Sequence, residues 1–340
     1  MKTQEKSASD RKREHIELAG RSQMAEWSND RRFYYEPLLS SHIRTEPLNL
    51  NFLGSNLKFP LWVSSMTGGT DQARMINENL ASACKEFGLG MGLGSCRILL
   101  EEPDLHLADF ALRKKMGPDQ PLFANLGIAQ LEKVSREGNW TGIQRMLEML
   151  EATGLIIHVN PLQEWLQPEG DRFQKRPLDI VKEVLENISC PIIVKEVGQG
   201  MGPQSLKALM ELPVVVEFGA YGGTNFAQLE INRSENAKQE TYGELSKQGH
   251  NATEMIGFVN KIVAANPDQK CLGFIISGGI KNFLDGYYAI NRIQGKAVYG
   301  QASVLLKYAM KSERELFEYI EGQIAGYTLA SQYLKVREEE

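Results

Sequence analysis

Eight short segments of this sequence end in residues suited to binding anions or moving protons. They read Ser65-Met66-Thr67-Gly68-Gly69, Gly94-Ser95-Cys96-Arg97, Asn125-Leu126-Gly127, His158-Val159-Asn160 with Gln163-Glu164, Lys195-Glu196, Gly222-Gly223-Thr224, Ser277-Gly278-Gly279 and Gly300-Gln301-Ala302. Glycine turns let backbone N–H groups approach an anion closely, so the last two suit a phosphate. Thr67, Ser95, Asn125 and Lys195 offer donors and acceptors for a planar heteroaromatic ring, as a flavin mononucleotide requires. A lysine at that point would place positive charge near the flavin N1 and favour the anionic reduced form. Glu164 is a hard oxygen ligand suited to Mg2+, which binds through one or two carboxylates plus substrate phosphates. Arg11, Lys12 and Arg97 could supply countercharge to a diphosphate.

Each of these segments closes a short apolar run, and the runs alternate with stretches of helical character, the pattern of repeated β/α units. The runs are Leu61–Met66, Leu89–Ser95, Leu122–Asn125, Leu155–Asn160, Ile192–Glu196, Val214–Phe218, Leu272–Ser277 and Ala297–Gly300. Continuous apolar character, without in/out alternation, suits strands buried on both faces of a parallel sheet. The expected fold is therefore an α/β (β/α)8 TIM barrel, whose binding groups gather at the C-terminal ends of the strands. Ile76, Leu80, Cys84 and Phe87 share one face of the first helix, and Pro203 opens another. Residues 1–60 form a charge-rich N-terminal extension, 61–310 the barrel and 311–340 a charged terminal helix with an apolar stripe at Leu316, Ile320 and Ile324. The polar stretch from Gly222 to about Asn251 reads as a long mobile loop over the barrel mouth, after strand six.

Composition narrows the class further. With 340 residues, a single barrel of ~250 residues plus additions is the expected organisation. The net charge of -5 disfavours attraction to nucleic acid or anionic membrane, so an anionic ligand must meet a local basic cluster. Cys84, Cys96, Cys190 and Cys271 lack C-x-x-C spacing and read as reduced thiols in a cytoplasmic protein. The polar stretch MKTQEKSASDRKREH lacks the apolar core of a signal peptide and no run of ~18 apolar residues occurs, so secretion and membrane insertion are not expected.

Taken together in order and spacing, the motifs resemble the type 2, FMN-dependent isopentenyl-diphosphate delta-isomerases. The likeness runs from residue 11 to about 310 and is carried by Arg11-Lys12-x-x-His15, Met66-Thr67-Gly68-Gly69, Gly94-Ser95-x-Arg97 and Asn125-x-Gly127. It continues through His158-Val159-Asn160-x-x-Gln163-Glu164, Pro168-Glu169-Gly170-Asp171-Arg172, Lys195-Glu196-Val197-Gly198-x-Gly200 and Gly222-Gly223-Thr224-Asn225-Phe226. The resemblance implies interconversion of isopentenyl and dimethylallyl diphosphate, with FMN reduced by NADPH acting as acid and base, and with Mg2+. It implies FMN contacts from Ser65, Met66, Thr67, Ser95, Asn125, Lys195, Thr224, Gly278, Gly279, Gln301 and Ala302. Substrate contacts would come from Arg11, Lys12, Ser95, Arg97, His158 and Gln163. Gln163 and His158 would be catalytic and Glu164 the metal ligand. A tetramer or octamer is implied as well. The chain departs from the family at Tyr299-Gly300-Gln301-Ala302, where an apolar residue between small ones is usual. It also carries Glu217 for Asp and Tyr221 for glycine.

Plainer readings stand beside these. Any one glycine pair is a tight turn, His158 alone is a core histidine, Lys195 pairs with Glu196, and Arg11-Lys12 lie on a solvated face. Cys96 has no visible base and reads as a packing residue. The competing functions are an FMN-dependent oxidoreductase of the 2-hydroxy-acid oxidase type, a relative of IMP dehydrogenase, and a non-catalytic barrel that binds flavin or prenyl phosphate. The first would need a histidine base and paired arginines near strands six to eight, where His250 is the only histidine.

Overall fold

A computed structural model describes residues 7–42, 48–66, 71–234 and 236–337, side chains 71, 103, 104 and 236–240 excepted. Eight parallel strands close into a barrel: β1 (Leu61–Val63), β2 (Gly90–Gly92), β3 (Leu122–Gly127), β4 (Gly154–Val159), β5 (Ile192–Glu196), β6 (Val215–Glu217), β7 (Gly273–Ile276) and β8 (Ala297–Gln301). They follow chain order, and β8 returns to β1 with Tyr299 opposite Leu61. All eight coincide with the apolar runs, because a strand covered by helices outside and side chains inside must be apolar on both faces.

The barrel interior holds one layer of large side chains, Trp62, Phe123, Ile156, Ile193, Val215, Ile275 and Val298. β2 contributes none: a Cβ at Gly90 would lie 2.1 Å from the Trp62 ring, so the glycine makes room for the indole. Below this layer, an antiparallel hairpin of Leu50–Phe52 and Ser55–Leu57 turns through Leu53 and Gly54, both at positive φ (54° and 78°). Two successive positive φ values are the geometry of a type I′ hairpin turn. The hairpin inserts Phe52 and Leu57, both fully buried, and plugs the barrel floor. The opposite end, where the strands finish, is left for polar groups.

Outside, helix Asp71–Phe87 buries Ile76, Leu80 and Cys84, as the spacing required. Pro203 opens helix Pro203–Met210. The stretch after β6 differs from expectation, since it forms two helices, Phe226–Arg233 and Asn236–Ser246. Glu230 is buried there and meets Arg233 at 2.7 Å, so a carboxylate that reads as solvated in sequence is instead buried, with a half-exposed guanidinium as its partner. Helix Glu313–Tyr333 buries Leu316 and Ile320 and runs on into a strand, Leu334–Val336, which pairs antiparallel with Phe33–Tyr35. Among the described residues no helix is long and apolar enough to cross a membrane.

Candidate active site

Side chains alternate faces along a strand, so the residue two beyond each inward apolar residue must also point inward. That step turns the apolar layer into a polar one at the rim: Ser64 above Trp62, Asn125 above Phe123, His158 above Ile156, Lys195 above Ile193, Glu217 above Val215 and Ser277 above Ile275. Strand pairing sets His158 beside Lys195 and Lys195 beside Glu217. Lys195 is 8 % exposed and Glu217 fully buried.

His158 Nδ1 lies 2.8 Å from Asn125 Oδ1. The Asn125 amide nitrogen donates to the Leu93 carbonyl at 3.0 Å, which turns its oxygen toward the histidine. Desolvation, and then the charge of Lys195, push the imidazole pKa down to about 3. The ring is therefore neutral, with its proton on Nδ1 and Nε2 left bare as an acceptor. Lys195 does not pair with the Glu196 side chain. Its ammonium donates to the Glu196 carbonyl at 3.2 Å, whereas Glu196 Oε2 accepts the N–H groups of Gly198, Gln199 and Gly200 at 2.6–2.8 Å. Burial raises the Glu217 carboxyl, opposed chiefly by the charge of Lys195, and among the described residues neither of its oxygens has a hydrogen-bond partner.

Above this layer opens a cavity lined by Ser64, Ser65, Lys195, Thr224, the Ser277–Ile280 turn and the Gly300–Val304 segment. Its floor is backbone-rich by necessity. Gly278 has φ of 87°, and a Cβ there would sit 2.1 Å from the Ala220 carbonyl. Ser64 Oγ and Ser65 Oγ are buried with no hydrogen-bond partner among the described residues. Gln301 is held by Ile280 and Tyr319, and Ala302 follows it into the cavity wall.

A second cluster follows β4. Helix Pro161–Leu166 carries Gln163 and Glu164. Asn160 Nδ2 donates to Gln163 Oε1 at 3.1 Å and to Glu164 Oε1 at 3.0 Å, while Glu164 Oε2 accepts the Asp171 N–H at 2.7 Å. Asn160 Oδ1 is buried with no partner among the described residues. Arg97 stands at the edge, about half exposed, 3.6 Å from Asp171.

The structure thus gathers Ser65, Lys195, Thr224, Gly278, Gly279, Gln301 and Ala302 at one cavity, with Asn125 and His158 in the layer beneath. Gln163 and Glu164 form the adjoining cluster. Met66 packs partly against the outer core, and Ser95 is exposed. Arg11 and Lys12 lie on helix Ala8–Ala19, which buries none of its residues, and neither lines the cavity. Thr67 lies outside the described residues. Burial pushes the Cys96 thiol up to about 12, consistent with packing alone. Ser64 was missed by sequence reasoning, and Glu217 and Ser277 were noticed but given no role, although the two-residue step from each inward apolar position would have placed all three at the rim.

A closed parallel eight-stranded barrel with polar groups at its C-terminal rim defines the class, a (β/α)8-barrel enzyme. Solved structures of that fold include a mutant flavocytochrome b2 with benzoylformate, at TM-score 0.60 and 13 % identity over 89 % of this chain and 76 % of that one. A mandelate oxidase mutant with a monooxide FMN adduct is similar at TM-score 0.54 and 13 % identity, over 91 % and 88 %. By sequence the chain belongs to the isopentenyl-diphosphate delta-isomerase family, and it is an isomerase. It is 39 % identical over 272 residues to the isopentenyl-diphosphate delta-isomerase of Rickettsia peacockii (strain Rustic), spanning 79 % of this chain and 76 % of that protein. To that of Rickettsia prowazekii (strain Madrid E) it is 35 % identical over 318 residues, or 92 % and 89 %. No protein-family model matches the chain.

Proposed function

We propose that the chain interconverts isopentenyl and dimethylallyl diphosphate by the type 2 route, with reduced FMN at the barrel mouth and Mg2+ at Glu164. The observation that carries this reading is the rim itself: one lysine, a glycine-built turn and two buried serine hydroxyls with no partner among the described residues surround a single cavity. Those groups fit FMN. The Gly278-Gly279 turn and the start of the segment after β8 suit its phosphate, while Ser65, Asn125, Thr224 and Lys195 suit its ring. Bound and reduced, FMN would supply both the acid and the base for the alkene, since no pair of carboxylates lines the cavity among the described residues.

The chain's own residues prepare that chemistry. Lys195, desolvated beside a raised Glu217 carboxyl, contributes the positive charge that stabilises an anionic ring. Neutral His158 presents Nε2 as an acceptor and adds no cation to compete with it. Gln163, an uncharged amide held by Asn160, orients the prenyl chain without supplying a stray proton source. Glu164 fits Mg2+ by donor type, and Asn160 Oδ1, buried with no partner among the described residues, is a further hard oxygen in the same cluster. No group of three metal-binding side chains occurs among the described residues, so diphosphate and water would complete the shell. Arg97, with part of its guanidinium unengaged, would meet the diphosphate. NADPH is the proposed reductant, and assembly to a tetramer or octamer follows the same resemblance.

An oxidase of 2-hydroxy acids is the rival reading on this fold. Among the described residues no arginine lines the cavity, and His250 packs edge-on against Phe258 without lining the cavity. The base and carboxylate clamp that such a reaction needs are therefore not assembled there. Anaerobic incubation with reduced FMN, Mg2+ and isopentenyl diphosphate should yield dimethylallyl diphosphate; no product under those conditions overturns the proposal. Lys195→Ala should weaken FMN binding about tenfold or more, the loss of one charge-assisted contact, as read by flavin fluorescence. Glu164→Gln should lower turnover and its Mg2+ dependence while leaving flavin bound.

A further inference from the structure

The motif Pro168-Glu169-Gly170-Asp171-Arg172 has no part in the chemistry above, yet its bonds converge on one residue. Glu164 is held at Oε1 by Asn160 and at Oε2 by the Asp171 N–H. Its carbonyl accepts from Arg172 Nη1, which also donates to the Gly170 carbonyl at 3.1 Å. Arg172 Nη2 donates to the Trp165 carbonyl at 3.0 Å, and the guanidinium lies 4.7 Å from the Trp165 ring centroid. The turn is pressed so closely on the helix that a Cβ at Gly170 would fall 2.0 Å from the Glu164 carbonyl oxygen.

Among the described residues Arg172 donates to backbone carbonyls and to no carboxylate, unlike Arg97, Arg176 and Arg233. Its planar fork instead joins carbonyls from both sides of the turn, a geometry that a single ammonium reproduces poorly. The helix it fastens is only six residues long and has no side-chain cap, so the helix alone cannot hold Glu164 in one rotamer. Groups behind a metal ligand that fix its orientation commonly change cation affinity 10–100-fold when removed.

We propose that Arg172 is a positioning residue: it latches the 168–172 turn to helix Pro161–Leu166 so that the Asp171 N–H sets the Glu164 carboxylate for Mg2+. This rests on the metal assignment made under Proposed function. The test is calorimetric Mg2+ binding to the FMN-loaded chain in the presence of inorganic pyrophosphate, on the parent, Arg172→Ala, Arg172→Lys and Glu164→Gln. Arg172→Ala should weaken Mg2+ binding roughly tenfold or more, with FMN affinity unchanged within about twofold. Arg172→Lys should recover part of the loss, because an ammonium still donates to carbonyls but stacks less well on Trp165. Parental Mg2+ affinity in Arg172→Ala overturns the inference, and so does parallel loss of Mg2+ and FMN, which would mean general damage to the rim. If Glu164→Gln also binds Mg2+ like the parent, the metal assignment itself falls; if Glu164→Gln weakens binding and Arg172→Ala does not, only the latch falls.

Discussion

His158 illustrates how a neighbour decides what a side chain can do. An imidazole with an ordinary pKa of 6.5 would be partly charged near neutrality, but here crowding and Lys195 hold it near 3. The Asn125 amide, pinned by Leu93, then selects the tautomer with Nδ1–H. The linkage has a definite sign: between pH 6.5 and 3 the unfolded chain binds a proton that the native ring refuses, so stability falls as pH drops through that window. His158→Gln should lose less thermal stability than the parent between pH 7 and 5. Nitrogen NMR of labelled histidine should show an Nδ1-protonated ring that does not titrate from pH 8 to 5. A midpoint near 6.5 for that resonance would refute the assignment. Residue types at and just after the strand ends marked Asn125, His158, Lys195 and Glu164 as candidates in the sequence, and the structure places the first three on barrel strands and Glu164 on the helix after β4. Ser64 and Glu217 were not so marked, since a serine beside an apolar run and a carboxylate inside one carry no signal until the inward phase of the strand is known.

At the scale of elements, the eight strands were readable because burial on both faces forces unbroken apolar runs. The two helices after β6 were not. Their charges mask the few apolar residues that seat them: Ala227 and Ile231 are buried against Leu166 with Tyr242 partly buried beside them, while the buried Glu230 meets the half-exposed Arg233 and Asn225 and Ser246 bond to neighbouring groups. The turn after β7 shows the converse, an element whose sequence states its geometry. Gly278 and Gly279 both take positive φ, and Gly278 lies against the Ala220 backbone, which cannot yield as a side chain tip would. Gly278→Ala should therefore cost on the order of 3 kcal/mol of stability and displace the backbone N–H groups proposed for phosphate. The checks are a lowered Tm and an FMN affinity reduced more than that of Lys195→Ala. Unchanged values of both would mean that the turn has slack the structure does not display.

The whole molecule is closed by its two ends. Phe33–Tyr35 and Leu334–Val336 form a two-stranded ladder between segments some three hundred residues apart in sequence, a pairing that short runs such as Phe-Tyr-Tyr and Leu-Lys-Val do not announce. Further bonds reinforce it. The Glu36 N–H donates to Tyr333 O at 2.8 Å, Arg337 N–H to Arg32 O at 2.9 Å and Arg337 Nε to Phe33 O at 3.0 Å. Tyr287, on the helix between β7 and β8, donates its hydroxyl to Leu334 O at 2.9 Å. Arg32 adds an ion pair to Asp285 on the same helix. The seam therefore ties the N-terminal extension to the helix behind the phosphate-suited turn, whereas the barrel floor has its own plug in Phe52 and Leu57. Deleting residues 334–340 removes the ladder and the Tyr287 acceptor but no group of the cavity. With net contributions of about 1 kcal/mol per buried hydrogen bond, the loss should be on the order of 3 kcal/mol. The truncated chain should thus melt at a lower temperature, show faster amide exchange at Phe33–Tyr35 and along helix Phe283–Arg292, and keep slow exchange in β3, β4 and β5. Uniform acceleration across the barrel would instead make the terminal seam part of one cooperative unit with the strands, and the separation drawn here between closure of the ends and integrity of the site would be wrong.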